Sequence, residues 1–97
     1  MKRGCAFVEE NEPGALAYEC FADEASERVV WHEMYEDEDA FVAHVQNLTE
    51  TGMLDEMMQV YEIERITFLT RITDPRIQEI AQQFGATMLH GLGGVVR

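Results

Sequence analysis

Residues 11–44 constrain this chain more than any other stretch, because their apolar pattern alternates at period two twice and then changes to a helical period. Pro13-Gly14 is a strong turn signal. Over residues 15–22, Leu16, Tyr18 and Cys20 share one face of a predicted strand, and Ala17, Glu19 and Phe21 share the other. Residues 23–27 are polar and suit a hairpin loop. Residues 28–36 are rich in β-branched and aromatic side chains and predict a second strand. On it Val29, Trp31, Glu33 and Tyr35 face one way, and Val30, His32 and Met34 the other. Asp37 is a predicted helix cap, with Glu38 and Asp39 in the first turn, where the helix dipole favours negative charge. Phe41, His44, Val45 and Leu48 then recur at helical spacing.

The order and spacing of Glu12-Pro13-Gly14, Leu16, Tyr18-Glu19, Glu33, Tyr35-Glu36-Asp37, Ala40-Phe41 and Ala43-His44 resemble those of antibiotic-biosynthesis-monooxygenase domains. The resemblance covers about a third of the chain. It implies a ferredoxin-like βαββαβ fold, commonly a dimer whose sheets pack into an α/β barrel. It also implies cofactor-free oxygenation of quinols or polyketide aromatics with dioxygen, although a subset of the family degrades haem. The family places a strand and a full helix before its EPG turn, whereas eleven residues precede Glu12 here. The resemblance therefore implies an N-terminally truncated version without the first strand. Residues 2–10 are a predicted short helix with Phe7 and Val8 as its apolar contacts.

Charge and length exclude several other classes. Seven basic against nineteen acidic side chains give a net charge of −12, which opposes binding to nucleic acid or to an anionic membrane surface. No stretch approaches the roughly 20 apolar residues of a membrane span. The run after Lys2 and Arg3 is too short for a secretory signal. Ninety-seven residues, 46% of them hydrophobic, make one domain with a core. The expected organisation is a single domain over 1–97, with its core at 12–84 and an apolar arm at 86–97. Cys5 and Cys20 form no CxxC or metal-type pattern, which points to a reduced, cytoplasmic protein.

Past the helix that Asp37 caps, residues 53–59 are a second predicted short helical piece with Leu54, Met57 and Met58 on one side. Alternation over 60–71 predicts the longest strand. Thr73-Asp74-Pro75 starts a helix whose apolar face is Ile77, Ile80, Ala81 and Phe84, and Gly85 ends it. The arm carries Met88, Leu89, Leu92, Val95 and Val96, too apolar for a solvated linker, and is expected to lie on a sheet of this chain or of a partner.

Imidazole moves protons near neutral pH, so the three histidines are the first candidates for chemistry. His44 follows Phe41 by three and Ala40 by four, and the opposite side of that helix carries Glu38, Asp39 and Gln46, so His44 looks inward. The resemblance places His44 where the family has a histidine over its pocket, which makes it the candidate catalytic base. An inward histidine that merely bonds a neighbour in the core fits the same pattern. Trp31, Tyr35 and Phe41, with His32, are the candidate substrate-binding residues; the same rings also suit the packing between sheet and helices. His90 has no matched counterpart, and the spacing of the histidines gives no sign of a metal site. The haem-degrading branch has a tryptophan aligned with His44, a haem-ligating histidine near Leu54 and an asparagine on the first strand. None is matched here, so no cofactor and no metal is expected.

These observations predict an α+β, ferredoxin-like domain of the dimeric α/β-barrel type, an antiparallel sheet with helices on one face. The expected activity is a cofactor-independent monooxygenase reaction on a small quinol or aromatic ligand, in a homodimer. The alternative is a non-catalytic ligand-binding or oligomerisation module on the same fold.

Overall fold

A computed structural model describes residues 2–97, with side chains from residue 4 onward. Helix α1 (Lys2–Asn11) runs into the turn at Pro13-Gly14, and its last turn closes through Glu12 N–H donating to the Val8 carbonyl at 2.9 Å. Strands β1 (Ala15–Asp23) and β2 (Arg28–Tyr35) follow as an antiparallel hairpin. In the loop between them Asp23 Oδ1 accepts from Ala25 N–H and Oδ2 from the Ser26 hydroxyl, while Glu27 takes the left-handed conformation at φ 57°. The ladder pairs Tyr18 with Glu33 and Cys20 with Trp31. It shifts between Ala15 and Ala17, which pair with Tyr35 and Met34, so Leu16 is the extra residue of a bulge. Strict alternation places Leu16 with Tyr18 and Cys20; the bulge turns it out to solvent instead.

Helix α2 (Glu38–Glu50) begins where the sequence predicts, with the Asp37 side chain accepting from Ala40 N–H at 2.8 Å. Two contacts tie it to the turn after α1. Glu36 N–H donates to the Gly14 carbonyl at 2.9 Å. A Cβ on Gly14 would stand only 2.7 Å from Ala40 Cβ, so the turn and the helix approach as closely as glycine allows. Helices α1 and α2 both pack on the hairpin, α1 on β1 and α2 on both strands. The buried residues there are Val8, Val42, Glu12 and His44, half of them polar. This helix–hairpin–helix unit ends at Glu56, after the start of α3 (Met53–Val60).

The second unit begins at Met57. Of the strand predicted over 60–71, only Thr67–Phe68 (β3) pairs. Residues 61–66 are not in a strand; Tyr61 N–H donates back to the Met57 carbonyl, and the Ile66 carbonyl accepts from Thr87 N–H at 2.9 Å where the β3 pairing begins. Helix α4 (Pro75–Phe84) has the expected ends: Asp74 caps it by accepting from Arg76 N–H, and Gly85 closes it in the left-handed conformation at φ 62°. Ile77 and Ala81 are buried on its apolar face. Strand β4 (Thr87–Met88) lies parallel to β3, pairing Thr87 with Thr67 and Met88 with Phe68. Within this chain the apolar arm packs on a sheet only over this pair, and Leu92 and Val96 are 94% and 99% exposed.

Candidate functional site

His44 is buried on α2, 2% exposed, and faces a carboxylate oxygen at each ring nitrogen. Its Nδ1 lies 2.7 Å from Glu12 Oε1. With Glu12 as a carboxylate, which can only accept, Nδ1–H is the donor in that hydrogen bond. Glu12 is itself 7% exposed, and its second oxygen, Oε2, is buried without a hydrogen-bond partner. On the other side, His44 Nε2 stands 3.3 Å from Glu33 Oε1, and the Tyr35 hydroxyl donates to that same oxygen. The Glu33 side chain is 31% exposed. The four residues therefore form a continuous polar line, from a buried carboxylate through an imidazole to a carboxylate that reaches solvent.

Each member arrives by a local cause. Glu12 sits at the end of α1, held by the turn that Gly14 allows against Ala40. Glu33 and Tyr35 are two apart on β2 and share the face that looks to the helices. His44 is placed by the Asp37 cap, which sets the rotational start of α2.

Aromatic rings wall the line. The Tyr18 ring centroid is 5.3 Å from that of His44, and the Tyr35 centroid 5.5 Å. Phe41 meets Tyr35 edge to face at 5.3 Å. Burial, reinforced by the negative charge of Glu33, pushes the Tyr18 phenol up to about 12, while a hydrogen bond from Trp31 pulls the other way. Burial and Glu33 raise the Tyr35 phenol further still. Both phenols are held as neutral hydroxyls.

Of the residues predicted from sequence, the structure brings Tyr35, Phe41 and His44 into contact, and Trp31 lies on the same strand face, hydrogen-bonded to Tyr18. His32 stands apart: it pairs with Glu19 across the hairpin at 3.3 Å on the outer, exposed face. The sequence pattern does not single out Glu12, Glu33 or Tyr18 as site residues. A signal for Glu33 was present, because a carboxylate on the strand face of Trp31 and Tyr35 requires a partner when the face is covered. Among the described residues, no group of three or more His, Cys, Asp or Glu side chains is arranged to hold a metal ion. None of the described helices is long and apolar enough to cross a membrane.

A ferredoxin-like α+β domain with a carboxylate–imidazole–carboxylate line buried between its hairpin and helices is the class that this geometry defines. The crystal structure of MupZ from Pseudomonas fluorescens has the same fold: the two superpose with a TM-score of 0.78 over 99% of this chain and 78% of that one, at 17% identity. The family model described as antibiotic biosynthesis monooxygenase matches residues 6–51 of this chain. A comparison with curated proteins finds no match.

Proposed function

We propose that this protein is a cofactor-independent monooxygenase acting on a small quinol or aromatic substrate with dioxygen, and that His44 is the base that receives the substrate's proton. The observation that carries the reading is the buried imidazole with a carboxylate at each ring nitrogen. Glu12 holds Nδ1–H, which leaves Nε2 to accept a proton, and Glu33 stands between Nε2 and solvent. A quinol hydroxyl at Glu33 passes its proton inward through that carboxylate to Nε2. The anion left behind is electron-rich and gives an electron to dioxygen. One oxygen atom enters the ring and the other leaves as water; the quinol supplies all the electrons, so the balance needs no external reductant. Tyr35 and Phe41, with Trp31 on the same strand face, form the aromatic wall for the ring.

The reading extends to assembly and setting. The outer hairpin face exposes Phe21, Val30 and Met34, and a two-stranded hairpin is marginal alone, so the functional unit is a homodimer that covers this face. Cys5 and Cys20 as thiols outside any disulfide, and an acidic composition, suit the cytoplasm.

Oxygen uptake with a panel of quinols tests the activity. His44→Gln keeps a hydrogen-bonding side chain and removes the base, and it is expected to lower the rate about 10²–10⁴-fold. An unchanged rate in a folded His44→Gln protein removes His44 from the chemistry. The burial of His44 favours a second reading, a ligand-binding module in which the line is structural; quinol binding without oxygen uptake by the wild-type protein would select it.

A further inference from the structure

We infer that Glu33 makes this site selective for ligands that present a neutral or cationic group, with a hydroxyl donated to Glu33, and that it rejects aromatic ligands carrying a carboxylate. The inference rests on the quinol reading above and narrows its substrate class.

The charge count comes first. Two carboxylates, Glu12 and Glu33, face one imidazole. Even with that ring doubly protonated, the three groups sum to one negative charge. Glu12 Oε2 adds a buried oxygen with no donor, so the inner end of the line has unmet acceptor capacity. A ligand anion brought to Glu33 meets that carboxylate directly and, behind it, the field of the buried Glu12–His44 pair, which solvent screens less. The protein's own phenols report the same field: after burial itself, the charge of Glu33 is the next cause holding Tyr18 and Tyr35 protonated. A phenolic ligand in the same surroundings therefore binds as the hydroxyl and not as the phenolate.

The hydrogen-bonding capacity comes second. Glu33 Oε1 already faces His44 Nε2 and accepts from Tyr35. Oε2 of the same carboxylate, on a side chain that reaches solvent, is the acceptor left for a ligand donor. A hydroxyl or an ammonium supplies that donor. A ligand carboxylate supplies none and repels Glu33, which is selection by an unfavourable contact against the wrong ligand.

Three ring-matched probes test the inference: hydroquinone, 2,5-dihydroxybenzoate and the aminomethyl derivative of hydroquinone as its ammonium. Binding is measured without oxygen, by calorimetry or ligand-observed NMR, so that turnover does not enter. Hydroquinone is expected to bind about tenfold or more tighter than the carboxylate, and the ammonium at least as tightly as hydroquinone. Glu33→Gln is expected to shrink the gap between hydroquinone and the carboxylate to about threefold or less. Because Glu33 reaches solvent, this variant should stay folded; the ranking of the three probes on wild-type protein needs no variant at all. A carboxylate probe that binds as tightly as hydroquinone, or a gap that Glu33→Gln leaves intact, overturns the inference. If none of the probes binds, the quinol reading falls and the inference with it. If the ranking holds while hydroquinone consumes no oxygen, the selectivity stands and only the oxygenase reading falls.

Discussion

His44 Nδ1 lies 2.7 Å from Glu12 Oε1, joining two buried side chains that are 32 residues apart in sequence. The contact locks the end of α1 to the second turn of α2. Removing one partner leaves the other buried without compensation, and such losses typically cost about 3–5 kcal/mol. Glu12→Ala and His44→Ala are each expected to fall in that range by urea denaturation. The double variant should lose clearly less than the sum of the two. A coupling energy near zero would show that the pair does not act as a unit.

Gly14 is expected to be intolerant of a side chain. A Cβ there meets Ala40 Cβ at 2.7 Å, and neither backbone can retreat without loosening the Glu36 N–H to Gly14 carbonyl bond. Overpacking of this kind costs about 1–3 kcal/mol. Gly14→Ala should lower the melting temperature accordingly, and pairing it with Ala40→Gly should recover most of the loss. Failure of that rescue would place the strain elsewhere.

Tyr18 predicts a pH dependence. Burial, then Glu33, raises its phenol from an ordinary value near 10 to about 12. Between those values the unfolded chain has lost this proton and the folded chain still holds it. The folded state binds more protons there, so stability contributed by Tyr18 is whole below pH 10 and declines as pH rises towards 12. In Tyr18→Phe, the fall in melting temperature between pH 10 and 12 should be shallower than in the wild-type protein. Parallel curves would show that Tyr18 ionises alike in both states.

The proposed dimer has a direct test. Phe21, Val30 and Met34 lie on the outer hairpin face with Phe21 paired to Val30 across the strands. Light scattering on a size-exclusion peak should give twice the 11.1 kDa chain mass. Phe21→Lys with Val30→Lys should shift the peak to monomer while leaving the far-ultraviolet circular dichroism intact. A wild-type monomer at micromolar concentration would remove the dimer.

Residues 91–97 carry three apolar side chains that the chain itself does not cover, Leu92, Val95 and Val96. Their deletion should shift the melting temperature by no more than about 3 °C, as expected for exposed positions. A loss of many degrees would show that another copy of the chain covers them.

Much of the local structure follows from short-range chemistry. The hairpin over β1 and β2, the Asp37 and Asp74 caps and the Gly85 helix end depend on residues within a few positions of each other, so pattern and capping rules reach them. Alternation failed at Leu16, because a bulge changes facing through the partner strand's register. It failed again over 61–65, where apolar alternation was present but no partner strand was among the described residues.

The candidate site divides in the same way. His44 as an inward histidine beside Phe41 was legible from the spacing along one helix, and Tyr35 and Trp31 on one strand face were legible from period two. Neither period says which acidic residue, among nineteen, approaches the imidazole. Only the tertiary structure brings Glu12 to Nδ1 and Glu33 to Nε2, because that choice depends on how closely the turn at Gly14 lets α2 approach the hairpin. Sequence periodicity determines which way each side chain points on its own element. The distance between elements, and with it the charge that His44 faces, is decided by packing.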